Sequence, residues 1–207
     1  MPKTQLPLRE KKYATQKLKI LDAFDEKLKT KSLADISVKE IARELEISEM
    51  TFFNYFGSKK EVLIYFIELW SLEMQILIEG KEPKEAIYLI FEETARLIEK
   101  NYQLFMEIVS AMSLYGMPKK DIVIGHAERL LRFGVDTKHK DKEGGFRELI
   151  MPLIEDIVDG EHQTFVYIAL HNTCFSTPLL MKSKGFGSLK KHYYEQIGYI
   201  FKGVDNG

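Results

Sequence analysis

The sequence predicts an all-α protein, and three observations carry that expectation. Apolar residues recur at three- and four-residue spacing along nearly the whole chain, no stretch alternates convincingly with the two-residue period of a strand, and glycine or proline separates the periodic runs. Within this pattern Ser37 to Glu61 reads as two short helices joined by a tight turn and followed at once by a long third. The expected architecture is an N-terminal three-helix helix-turn-helix domain over residues 1–60 and a larger helical domain over residues 61–207.

Each element follows from local chemistry. Residues 1–8 read as a frayed tail. From Arg9 to Lys29, Ala14, Leu18, Leu21 and Leu28 keep helical spacing with Ile20 and Phe24 beside them, while Arg9, Lys11, Lys12, Lys17 and Lys19 form a basic, solvated face. Val38, Ile41, Ala42 and Leu45 recur at i, i+3, i+4 and i+7, and Ser37 with Glu40 three residues later predicts a capping box that starts this helix. Glu46-Ile47-Ser48 breaks it. Ser48 is placed to accept from the free N–H groups that open Glu49 to Phe56, and Ile47, Phe52 and Phe56 supply the apolar contacts between the two helices. Ser58 and Glu61 form a second box, with Lys59 and Lys60 between them. The second helix is sized to lie in a DNA major groove.

From Ser58 onward the pattern stays helical. Leu63, Ile67, Trp70, Met74 and Leu77 make one stripe and Val62, Phe66, Leu69 and Ile76 another, which predicts burial from two directions until Gly80 and Pro83. Further helices are expected over Glu85 to Lys100, from Leu104 to Met112 (ended by Gly116 and Pro118), and over Ile122 to Phe133. Val135 to Gly145 reads as a surface loop. Phe146 to Ile157 resumes with a kink or late start at Pro152, Glu161 to Phe175 continues to a disturbance at Pro178, and Leu189 to Phe201 closes the chain.

Composition bounds the function. The 207 residues carry a net charge of −1, but residues 1–60 hold 13 Lys and Arg against 9 Asp and Glu, leaving 17 against 22 for the remainder. A basic head on an acidic body suits contact with DNA through one part only. One cysteine, Cys174, excludes a disulfide framework, the start lacks a signal peptide's apolar run, and no run reaches the ~18–20 apolar residues that span a bilayer. A cytoplasmic protein without membrane contact is expected. The chain has no GxSxG, HExxH or phosphate-loop signature, so no enzyme is expected. His126, His139, His162, His171 and His192 are scattered without metal-ligand spacing, and neither metal nor cofactor is expected.

Thr51-Phe52-Phe53-Asn54-Tyr55-Phe56 followed by Ser58-Lys59, with the helix before it, resembles the N-terminal DNA-binding domain of TetR-type transcriptional regulators. Two positions depart from that family's pattern: Glu46 stands where the turn usually has Gly, and Phe53 stands where Tyr is common. The resemblance implies a homodimeric regulator that binds a double-stranded DNA operator and is released from it by a small-molecule effector, repression being the commoner behaviour.

The helix-turn-helix divides the residues into positioning and reading sets. Lys59, Thr51, Tyr55 and the N–H groups at Ser37 and Ser58 are the expected phosphate donors, with Ser48 capping the reading helix. Glu49, Met50 and Asn54 are the expected base readers, since Asn pairs with adenine, Glu accepts from cytosine and Met packs on a thymine methyl. Phe53 is assigned either to sugar contact or to covering the core.

Half-sites ~34–36 Å apart need a two-fold dimer. The last two helices, about Glu161–Lys182 and Ser188–Lys202, resemble the family's dimerising pair and would bury Phe165, Ile168, Tyr193, Ile197 and Ile200. The family resemblance also implies an effector pocket in the body, for which Trp70, Phe105, Met106, Met112, Tyr115, His126, His171 and Asn172 are the expected lining. The alternative is a dimeric helical ligand-binding or protein-interaction module that has lost specific DNA binding, a reading favoured by Glu46, Glu49 and the absent hydroxyl at 53.

Overall fold

The computed structural model describes residues 6–115, 122–134, 145–184 and 187–205, and among them the chain forms ten α-helices and no strand. In order these are α1 (Leu8–Leu28), α2 (Val38–Glu44), α3 (Glu49–Tyr55), α4 (Lys59–Leu77), α5 (Pro83–Lys100), α6 (Tyr102–Tyr115), α7 (His126–Phe133), α8 (Phe146–Glu155), α9 (Gly160–Lys184) and α10 (Leu189–Asp205). The all-α expectation holds. The stops expected at Gly116 and Pro118 lie outside the described residues, as does the loop expected over Val135 to Gly145 except for Gly145 itself, which caps α8.

The chain divides into two compact units, the first Met1–Trp70 with Gln103–Glu143, the second Ser71–Tyr102 with Gly144–Gly207. In the first, Phe24 of α1 stacks on Phe52 of α3 at 5.8 Å, and Phe56 meets Tyr65 of α4 edge-on at 5.4 Å. Ile20, Phe24, Ile41, Phe52 and Phe56 are all but inaccessible to solvent. This aromatic core sets the angle between the short helices, which on their own are too short to persist in water. Glu107 of α6 accepts from the N–H of Leu33 at 2.9 Å and so ties that helix to the loop before α2. Lys17 departs from the expected solvated face, because it is buried between α1 and α7.

In the second unit α5, α8, α9 and α10 surround Ile87, Ile90, Phe91, Ile150, Leu170 and Ile197. Pro83 sits at the first helical position of α5, where its missing N–H costs nothing, so it opens that helix. Pro178 lies inside α9 without ending it. Proline has no N–H to give the carbonyl four residues back, which here belongs to Cys174. That carbonyl accepts instead from the Tyr193 hydroxyl of α10 at 2.8 Å. The helix continues because a neighbouring helix supplies the missing donor.

Candidate nucleic-acid interface

The turn between α2 and α3 is built from backbone hydrogen bonds. The N–H of Ile47 donates to the carbonyl of Ala42 at 2.9 Å and that of Glu46 to Arg43 at 3.2 Å, the paired bonds of a Schellman motif. That geometry requires a left-handed residue after the C-cap. Glu46 takes it with φ of 54°, the only non-glycine with positive φ among the described residues. The departure seen in the sequence is therefore a real backbone cost, on the order of 1–2 kcal/mol.

Both short helices begin on serine caps. Ser37 Oγ accepts from the N–H of Glu40 at 3.3 Å, and Ser48 Oγ accepts from that of Thr51 at 3.0 Å. The reciprocal half of the first expected box goes elsewhere. Glu40 turns its carboxylate to Lys31 at 3.1 Å and Lys27 at 3.5 Å, and these two cations, Lys31 foremost, hold its carboxyl below the usual range. Lys27 also pairs with Glu44 at 2.8 Å. At α4, Ser58 Oγ accepts from Glu61 N–H at 3.3 Å, while the Glu61 carboxylate reaches Gly57 N–H at 2.9 Å, one residue earlier than a standard box.

On α3 the outward face is Glu49, Met50, Phe53 and Asn54, with Met50 71% and Phe53 47% exposed. Large apolar side chains held in water on a seven-residue helix are unfavourable unless something covers them. Thr51 shares a hydrogen bond with the Ser48 hydroxyl at 2.8 Å, and the ring of Tyr55, half-buried, lies 4.8 Å from that of Tyr13 in α1. An open groove of about 620 Å³ runs past the starts of both short helices and is lined by Ser37, Lys39, Glu40, Ala42, Arg43, Ile47, Ser48 and Glu49. Lys39 and Arg43 are exposed there and were not among the expected phosphate donors. Their outward placement on α2 was legible from the apolar face opposite them, since they occupy the positions between Val38, Ile41, Ala42 and Leu45.

Lys59 is differently engaged from its expected phosphate role. Its ammonium donates to the carbonyls of Leu33, Ala34 and Ile36 at 2.6, 2.9 and 2.9 Å. A lysine has three N–H donors, and all three are used inside the chain. The loop before α2 offers carbonyls that no helix satisfies, and Lys59 fixes that loop against the start of α4.

The residues expected to line an effector pocket fall in both units. Trp70, Met106, Met112 and His126 are half-buried and Phe105 is buried in the first; the Tyr115 side chain lies outside the described residues. In the second, Asn172 is exposed, and half-buried His171 sits in an aromatic cluster 4.7 Å from Phe175 and 5.9 Å from both Phe146 and Tyr167. Cys174 is buried on the same helix, and burial pushes its thiol up to about 12. Among the described residues no three His, Cys, Asp or Glu side chains gather at metal-binding distance.

The residues expected at a dimer interface separate. Phe165 and Ile168 of α9 are 61% and 51% exposed. Tyr193 and Ile197 are fully buried within their own unit and have no surface to offer a partner, and Ile200 is half-buried. Tyr193 is inside because its hydroxyl serves the Cys174 carbonyl. Leu180 and Tyr199 are exposed and were not expected at the interface. α9 is apolar on several sides, so periodicity alone does not distinguish its inner face, with Val166 and Leu170, from its outer one.

Residues 20–66 match the family model for bacterial regulatory proteins of the tetR family. The fold is similar to that of a TetR-like transcriptional regulator from Rhodococcus sp. RHA1, with a TM-score of 0.56 and 18% identity over 98% of this chain and 100% of that one. It is also similar to the TetR family transcriptional regulator PfmR from Thermus thermophilus, with a TM-score of 0.51 and 19% identity over 88% of this chain and 97% of that one. No curated protein matches the sequence.

Proposed function

From the match of residues 20–66 to the tetR family model, we propose that the chain is a homodimeric, sequence-specific DNA-binding transcriptional regulator. In this reading it is a repressor that a small-molecule effector releases from a palindromic operator. Residues 1–60 form the reading head, and residues 61–207 bind the effector and dimerise. The observation that carries the proposal is the exposed face of α3, where Glu49, Met50, Phe53 and Asn54 stand beside a groove bordered by Lys39 and Arg43.

Within that face Asn54, Glu49 and Met50 read base edges, and Phe53 lies against sugar. The starts of α2 and α3 at Ser37 and Ser48, with Thr51, Tyr55, Lys39 and Arg43, hold the phosphates. Lys59 contributes by holding the loop, not by direct contact. The exposed apolar residues Phe165, Ile168, Leu180 and Tyr199 support a dimer interface on α9 and α10. For the effector, the candidate lining residues are Trp70, Phe105, Met106, Met112 and His126 in the first unit and, separately, His171 and Asn172 in the second. An effector that prefers one conformer by ~1–3 kcal/mol changes operator affinity ~5–150-fold.

The test is selection of bound duplexes from a random-sequence pool, followed by titration of the selected duplex with salt. The expected result is an inverted repeat whose log affinity falls with log salt at ~0.9 per phosphate neutralised. A second reading, the dimeric interaction module without specific DNA binding, is favoured by the internal use of Lys59, the hydroxyl missing at Phe53 and the carboxylate of Glu49 at the start of α3. No enriched sequence and a flat salt dependence would establish that reading in place of the first.

A further inference from the structure

Two charges are buried in the first unit outside the exposed interface. Lys17 of α1 is 7% and Glu128 of α7 5% exposed, with Nζ 3.1 Å from Oε1. The ammonium also lies 4.2 Å above the ring of Tyr65, 5.8 Å from that of Phe56 and 6.0 Å from that of Tyr13. Phe56 closes α3, and Tyr13 packs against Tyr55 of α3. One cation therefore lies among the aromatic rings that seat the C-terminal end of the reading helix, and its counter-charge comes from α7.

We propose that Glu128 is a positioning residue for DNA reading, acting through Lys17 to hold α1 and the aromatic seat of α3 in one register. This rests on the DNA-reading function proposed above. A buried pair is poor glue, since an apolar pair of the same volume serves stability as well or better. What it adds is direction. Asp22 and Arg132 make a second cross-link between the same helices, at 3.3 Å and with opposite polarity. Glu128 and Arg132 are one turn apart on α7, so a slip of one turn brings Arg132 to Lys17 and sets cation against cation. The approach is shaped in the backbone as well. A Cβ at Gly125, before α7, would collide with Glu128 Oε2, so only glycine there leaves room for the carboxylate where it sits.

The experiment uses the full chain in four forms: wild type, Glu128→Gln, Gly125→Ala and the apolar double variant Lys17→Met with Glu128→Leu. Gly125→Ala keeps both charges but displaces the carboxylate, and the double variant keeps the packing without the direction. Three quantities are read: affinity for the selected duplex, urea midpoint, and hydrogen exchange of the α3 amides in free protein. Glu128→Gln and Gly125→Ala should weaken binding ~5–150-fold and speed exchange across α3. The double variant should regain the wild-type urea midpoint without regaining affinity or protection. Recovery of all three in the double variant would reduce the pair to packing and overturn the proposal, as would wild-type affinity and exchange in Glu128→Gln. If wild type selects no duplex, the DNA-reading function fails, and α3 exchange alone then decides whether Glu128 positions that helix.

Discussion

Replacing Glu46 with glycine isolates the backbone of the helix-turn-helix from its side chains. Glu46 holds φ of 54° and its side chain is exposed, so removing that side chain costs little contact. The left-handed conformation costs a non-glycine residue ~1–2 kcal/mol. Glycine returns about 0.5–1 kcal/mol of this through the greater freedom of its unfolded chain. The net expectation for Glu46→Gly is a gain of about 0.5–1 kcal/mol, or a melting temperature higher by roughly 1–4 °C for a chain of this size. Glu46→Ala retains Cβ and the strain, and should stay within about 0.5 kcal/mol of wild type. Urea unfolding followed by far-ultraviolet circular dichroism, with m unchanged, makes the comparison. The Schellman bonds from Ile47 and Glu46 should survive in every variant, because they are backbone to backbone. If Glu46→Gly proved no more stable than Glu46→Ala, the left-handed turn would not be the strained point argued above.

Three further outcomes follow from other contacts. Lys59→Met removes the donor shared by three loop carbonyls and should cost ~1–3 kcal/mol in urea unfolding while leaving the salt slope of DNA binding unchanged; a slope lower by ~0.9 at undiminished stability would return Lys59 to phosphate contact. Tyr193→Phe strands the Cys174 carbonyl that Pro178 cannot serve, and a loss of ~1–3 kcal/mol without change of oligomeric state, measured by light scattering alongside unfolding, is expected. Burial raises the Cys174 thiol from 9.0 to about 12, so its contribution to stability is whole below about pH 9 and is lost as pH rises toward 12, where only the unfolded chain ionises at first. Urea midpoints of wild type and Cys174→Ala across that range should converge with rising pH, and parallel curves would contradict the burial of the thiol.

The helices themselves were legible from local rules. Serine at 37 and 48, the apolar spacing of Val38 to Leu45 and the punctuation at Gly80 mark ends that backbone hydrogen bonding then fulfils. The face of α3 was legible too, because Phe52 and Phe56 account for the inner side and leave Glu49, Met50, Phe53 and Asn54 outside. Prolines were harder to read. Pro83 opens a helix and Pro178 lies within one, and the second outcome depends on a hydroxyl fifteen residues further along the chain.

What the sequence determined by itself is the order and kind of the elements, because capping, periodicity and chain breaking act over three or four residues. Only the tertiary structure decided which polar and apolar groups are left over for a partner. Lys59 looks like a phosphate donor until its carbonyl partners are placed, and Tyr193 and Ile197 look like interface until the neighbouring helices cover them. Lys17 looks solvated until α7 brings Glu128 across more than a hundred residues of chain. The reason is common to all of them: a donor or an apolar surface can be satisfied by any neighbour in space, and spacing along the chain does not specify that neighbour.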